Sequence, residues 1–479
     1  MEAYVFILKL NSFIKMRIFS PKFRHYVRKK KRQSHRISHK SVEFTCLLIG
    51  AALVALVSFG FAQLANWGLA LNHSWVAKYP RAVWIVLPIG LAILAWFTRK
   101  YAPFVSGSGI PQVIASINLP HGPHKGYLVR FWQTLWKIPL TFLAMIIGGS
   151  VGREGPSVQV GAAVMLAWGN FCRRHGLAFS GLTANELIAT GAAGGLAAAF
   201  NAPLAGVMFA IEELGRGVAL RWERKILLGV LACGFILIAI AGNNPYFPHY
   251  HGAVEVPYFI LWVAGCGVVC GVLGGLFAKL LAKGVVAVSP ARIRGWVRRH
   301  PVMVAFILGL ILAAIGTVAQ GQTYGTGYGV VAQALDGNSV ADNLGIWKLL
   351  ATVGTYWSGV AGGIFTPCLT TGAGIGMQIW SLTGGIIDQR LLVLMCMAAF
   401  LAGATQSPVT ASVVVMEMTG SQPVLFWMLL CSIGASIISR QFNPKPFYHF
   451  AAGRFRQRVQ ELAKEESELK NNNEAQQKA

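Results

Sequence analysis

Gly152-Arg-Glu-Gly-Pro156 and, much later in the chain, Gly363-Ile-Phe-Thr-Pro367 share one pattern. Each opens on glycine, closes on proline and leads into an apolar stretch with another glycine at the matching place, Gly161 in one and Gly372 in the other. Proline is favoured in the first turn of a helix, and glycine lets backbone approach a ligand closely. Both segments therefore predict helix N-termini whose free N–H groups and partial positive charge can bind an anion. A second matched pair follows in the same order. Leu196-Ala-Ala-Ala-Phe-Asn-Ala-Pro203 is followed nine positions later by Glu212, and Leu401-Ala-Gly-Ala-Thr-Gln-Ser-Pro408 nine positions later by Glu417. Four landmarks in one order predict an internal repeat. Repeats with interrupted helices at matching places are the mark of secondary transporter folds, whose substrate site lies at the repeat interface.

Composition agrees. Of the 479 residues 54% are hydrophobic and only 12% are charged, roughly half the charged share of soluble domains. Apolar runs recur from about residue 44 to about 441, among them 45–67, 82–97, 226–241, 258–282, 302–318 and 391–404. Several reach the roughly 20 residues that a hydrocarbon core requires. Others are broken by the 54 Gly and 20 Pro, and broken helices persist in lipid only where protein or a watery cavity receives the freed backbone. The expectation is an all-α polytopic membrane protein with many broken or tilted helices.

The net charge of +25 lies largely outside the apolar runs. Lys22, Arg24, Arg28, Lys29, Lys30, Lys31, Arg32, Arg36 and Lys40 make residues 1–43 a basic arm. It reads as a cytoplasmic flank of the first span; an arm for anionic lipid or nucleic acid is the less favoured reading, and no nucleic-acid partner is expected. Residues 1–19 show no cleavage site of a leader peptide. Residues 44–245 and 246–458 form the two expected transmembrane halves, and 459–479 a cytoplasmic tail. The 8 cysteines are scattered without a CxxC pair and read as packing residues; no metal site or cofactor is expected.

A third segment, Gly107-Ser-Gly-Ile-Pro111, repeats the pattern and adds the hydroxyl of Ser108. Three such starts suggest an anion site made mostly of backbone, free of a fixed cation that would trap the anion rather than pass it. Glu154 sits among those amides and competes with an anion for them. It reads either as a gate that leaves when protonated or as a capping acid. Glu212 and Glu213 end another apolar stretch. Glu212 has a repeat mate in Glu417, which suggests a structural role for both. Glu213 is mated to Met418 and is the better functional candidate. Lys137 reads as a buried partner for an acid or a side chain snorkelling to the interface.

Taken together, Gly107-Ser-Gly-Ile-Pro111, Gly152-Arg-Glu-Gly-Pro156 and Gly363-Ile-Phe-Thr-Pro367 resemble the three filter motifs of the CLC family of chloride channels and chloride/proton antiporters. Asn201-Ala-Pro-Leu-Ala-Gly206 through Glu213 resembles its central signature, and Pro444-Lys-Pro-Phe-Tyr448 its final motif. The resemblance covers roughly residues 45–458. It implies two inverted-topology halves in each subunit, a pore in each subunit, and a homodimer. It implies an anion held by the hydroxyls of Ser108 and Tyr448 and the N–H groups of Ile364 and Phe365. Glu154 would be the external proton gate and Glu213 the internal proton-transfer residue. Two departures stand out: Gln112 replaces a usual Glu, and Ala361 falls in a variable loop. Neither touches an expected ligand. Ser108 argues for chloride over fluoride. The short segment after Tyr448 implies a prokaryotic form without regulatory domains, in the plasma (inner) membrane with both termini cytoplasmic.

The function expected is a secondary active chloride/proton antiporter, with a passive voltage-gated chloride channel as the alternative. An intramembrane enzyme lacks support, because no HExxH zinc motif occurs. An ATP-driven pump is excluded by the absence of any Gly-Lys pair, without which there is no phosphate-binding Walker loop.

Overall fold

The repeat seen in the sequence becomes a matched set of helices. In the computed structural model, which describes residues 21–120, 124–177, 182–216, 224–243, 245–250 and 257–478, nineteen α-helices and no strand occur among the described residues. Residues 1–19, which bear on a leader peptide, lie outside them. In chain order the first half contains α1 (Pro21–Lys78), α2 (Val83–Tyr101), α3 (Ile110–Asn118), α4 (Phe131–Leu135), α5 (Lys137–Ile146), α6 (Glu154–Arg174), α7 (Ala184–Phe200), α8 (Pro203–Phe209) and α9 (Arg224–Ala241). The second contains α10 (Phe259–Val288), α11 (Ala291–Arg299), α12 (Pro301–Val318), α13 (Tyr328–Leu335), α14 (Leu344–Trp357), α15 (Phe365–Leu382), α16 (Gln389–Thr405), α17 (Pro408–Thr419), α18 (Leu425–Phe442) and α19 (Phe447–Lys478). The tail continues α19 as helix to Lys478.

Matching helices share their local causes. α7 and α16 have 17 residues each and end on a non-glycine residue in the left-handed region, Asn201 and Gln406. The next helix in each half, α8 or α17, starts on proline. α9 and α18 have 18 residues each. Crossings match too. A Cβ on Gly161 of α6 would collide with the carbonyl of Gly191 in α7, and a Cβ on Gly372 of α15 with that of Cys396 in α16. Small residues let helix backbones approach closely where lipid supplies no hydrophobic drive for association.

Among the described residues, six helical stretches are long and apolar enough to cross a bilayer: Ser41–Lys78, Pro80–Tyr101, Arg224–Ala241, Phe259–Val288, Pro301–Val318 and Gln422–Phe442. They keep exposed apolar faces, including Ile85, Ile89 and Ile93 on α2 and Ile307 and Ile311 on α12. The inner helices differ. In α16 every residue but Arg390 is buried, as expected of a helix apolar all round and enclosed by other helices. Long outer helices thus face lipid and shelter short inner ones, whose ends meet inside the protein.

Candidate anion pathway

The backbone between the halves is stitched by paired hydrogen bonds. Gly152 N–H donates to the Gly363 carbonyl and Gly363 N–H to the Gly152 carbonyl, both at 2.7 Å. Gly107 N–H donates to Val360 O at 3.0 Å, and Gly325 N–H to Gly149 O at 3.1 Å. These two bonds are mates under the repeat, so Gly325 is the counterpart of Gly107. The sequence reading found three punctuated segments; Gly325-Thr-Gly-Tyr328 is the fourth.

Lys137 neither pairs with an acid nor snorkels. It is fully buried, and its Nζ donates to the carbonyls of Val105 and Gly107, both at 2.7 Å. Lys348, also fully buried, does the same in the second half, donating to Thr323 at 2.9 Å and Gly325 at 2.8 Å. Each lysine holds the loop before a short helix, α3 or α13. Gly107 and Gly109 there have φ of +68° and +104°, a region that costs a residue with a side chain dearly. Gln112 donates to Ser106 O at 2.7 Å and Phe104 O at 3.2 Å, bonds that a carboxylate could not make.

These ties bring the N-termini of α3, α6 and α15 together. A Cβ on Gly155 would strike the side chain of Ser108, one on Gly109 would meet the Gly155 carbonyl at 2.7 Å, and one on Gly363 the Gly155 N–H nitrogen at 3.0 Å. Ile364 and Phe365 begin α15 and are buried; first-turn N–H groups have no intrahelical partner. Tyr448, one residue into α19, is buried beside Ser108. Both Ser108 Oγ and Tyr448 OH are buried without a hydrogen-bond partner. Buried hydroxyls are normally satisfied, and two orphans beside three converging helix starts suit an anion as their partner.

Glu154 is the first residue of α6 and is fully buried. Its Oε1 accepts from Tyr328 OH at 2.7 Å, and its Oε2 has no hydrogen bond. Arg153 Nε lies 3.9 Å from Oε1, while its guanidinium is turned to Ala62 O at 2.7 Å and Asn66 Oδ1 at 2.9 Å.

Glu213 lies in a π-helical turn, Ala210–Leu214, which closes α8; such turns concentrate at functional sites. Ser407 donates to Glu213 Oε2, and Oε1 is left without a hydrogen bond. His449 Nε2 sits 3.0 Å from the Glu213 carbonyl and 3.6 Å from its Oε1. His449 follows Tyr448 directly, so α19 touches both ends of the arrangement. The adjacent acid differs: Glu212 accepts from the backbone N–H groups of Val409 and Thr410 at the start of α17. No cluster of metal-ligating side chains occurs among the described residues. Three residues escaped the sequence reading: Tyr328, Lys348 and His449. The lysine was open to discovery as the repeat mate of Lys137.

Residues 90–440 match the family described as voltage gated chloride channel. An uncharacterized protein of Haemophilus influenzae is 68% identical over 89 residues, 19% of this chain and 91% of that one. Among solved structures, a slow cyanobacterial Cl-/H+ antiporter superposes with a TM-score of 0.72 at 25% identity, covering 87% of this chain and 98% of that one. A CLC-type fluoride/proton antiporter superposes with a TM-score of 0.67 at 23% identity, over 84% and 96% of the two chains. A eukaryotic CLC transporter gives 0.71 at 18% identity, over 87% and 74%. The family match covers most of the chain and the helices superpose on CLC structures, so this all-α polytopic membrane protein, built in two inverted-topology halves, belongs to the CLC family.

Proposed function

We propose that the chain exchanges chloride for protons across a prokaryotic plasma membrane, as a homodimer in which each subunit carries its own pathway. The observation that supports this most directly is the pair of orphaned hydroxyls, Ser108 Oγ and Tyr448 OH, with buried carboxylates at Glu154 and Glu213. In this reading chloride sits between the two hydroxyls and the N–H groups of Ile364 and Phe365. Glu154 is the external gate: its carboxylate competes with chloride and yields once protonated. Glu213 takes protons on the inner side, with Ser407 and His449 fixing its position. Helix dipoles, hydroxyls and amides bind the anion without a full positive charge, so it can leave as well as enter. The two halves, 44–245 and 246–458, frame the site between them.

The test is flux of both ions from liposomes holding the purified protein. A chloride gradient that drives protons uphill supports exchange. Chloride efflux without proton movement would make the protein a passive channel, with Glu213 a structural residue.

A further inference from the structure

Tyr328 opens α13 in the second half, yet its hydroxyl reaches 174 residues back to donate to Glu154. Its ring is held from several sides. The Tyr246 ring stacks on it at 5.7 Å and that of Phe247 lies at 5.6 Å. The guanidinium of Arg153 lies 5.4 Å from the Tyr328 ring and 5.5 Å from that of Tyr246. Thr366, from the second turn-forming position of α15, donates to the Tyr328 oxygen at 3.4 Å. A donor whose ring is clamped this way loses little entropy on bonding, and a bond to a carboxylate is among the stronger kinds. Tyr328 also lines a surface cavity of about 460 Å³, together with Asn72, His73 and Gln333. Meanwhile Ser108 Oγ and Tyr448 OH have no partner, so the carboxylate is docked on the phenol and not on the anion's hydroxyls.

We propose that Tyr328 is a positioning residue for the gate: its phenol docks the Glu154 carboxylate away from Ser108 and Tyr448, and each transport cycle breaks and remakes that bond. The inference rests on Glu154 being the gate. The titratable or charged groups facing the carboxylate are Arg153 on its own segment and Tyr328 on α13, both backed by Tyr246 from the loop before α10; His73 lines the same cavity as Tyr328. Among them only Tyr328 hydrogen-bonds to Glu154.

The experiment compares chloride-driven turnover of reconstituted full-length protein across a series of external pH values. Tyr328→Phe keeps the ring and removes the donor. The docked carboxylate is then released more readily, and the midpoint of the pH profile moves alkaline by about one pH unit, the equivalent of one hydrogen bond to a charged group. A fluorotyrosine incorporated at 328 is a stronger donor and moves the midpoint the other way. An unchanged profile in Tyr328→Phe, beside a Glu154→Gln protein whose profile is flat, overturns the docking role and leaves the gate intact. Glu154→Gln with the wild-type profile and full proton coupling overturns the gate reading itself. If Tyr328→Phe does not fold, the fluorotyrosine protein decides alone, an unshifted midpoint counting against docking.

Discussion

Glu212 and Glu417 cap each other's half of the molecule. The Glu212 carboxylate accepts from Val409 N–H at 3.2 Å and Thr410 N–H at 2.7 Å, at the start of α17. That of Glu417, at the end of α17, accepts from Leu204 N–H at 3.1 Å and Ala205 N–H at 2.6 Å, at the start of α8. Each acid thus closes the helix beginning from which its counterpart's half proceeds. This explains why two carboxylates can stand at matching places in an apolar chain: the orphan N–H groups of a helix start receive them.

Replacing either acid with glutamine should therefore weaken folding by similar amounts. A side-chain cap and its dipole interaction are each worth about 1 kcal/mol, so Glu212→Gln and Glu417→Gln should both lower the thermal midpoint of the detergent-solubilised protein. Melting curves of the two variants check this. A large loss in one and none in the other would deny their equivalence.

The lysines make a second matched test. Lys137→Met and Lys348→Met each leave two buried carbonyls without a donor, at a cost of about 1–3 kcal/mol apiece. Both should be less stable than the glutamine variants. Their effects on transport should divide by location: Lys137→Met loosens the loop carrying Ser108 and weakens anion binding, whereas Lys348→Met loosens the loop before Tyr328 and spares it. Calorimetric titration with chloride separates the two.

Ser108→Ala and Tyr448→Phe remove the two orphaned hydroxyls with little change of shape. Each bond to an anion is worth about 1.5–3 kcal/mol, so each variant should bind chloride about tenfold more weakly or worse. Stability should change little, because neither hydroxyl bonds a group outside the pair. Unaltered chloride affinity with both removed would place the anion elsewhere.

Glu213→Gln should keep chloride flux while stopping proton flux, because only the proton route uses that carboxylate in the proposed mechanism. Simultaneous chloride and proton recordings from one vesicle preparation decide the point. Coupled proton movement that survives the substitution would assign the inner step to another group.

How far the sequence carried this account depends on the kind of signal. Gly152–Pro156 and Gly363–Pro367 were legible because glycine and proline mark helix starts locally. The capping acids were legible as a symmetric pair, though not what they cap, since their partners lie about two hundred residues away. Gly325-Thr-Gly-Tyr328 was missed because it lacks the proline that flags its mate, Gly107-Ser-Gly-Ile-Pro111. Lys137 was misread as paired or snorkelling because a lysine bonded to backbone carbonyls has no acid in the sequence to point to it. The Tyr328–Glu154 bond joins segments that only the folded repeat brings together, as does the approach of His449 to Glu213.

The central claim is that Glu154 couples chloride to protons. Purified protein in liposomes, given a chloride gradient with the membrane potential clamped, tests it through external pH and chloride recorded together. The account predicts uphill proton movement in the wild type, and in Glu154→Gln chloride flux with no proton movement. Proton pumping that persists in Glu154→Gln would contradict it.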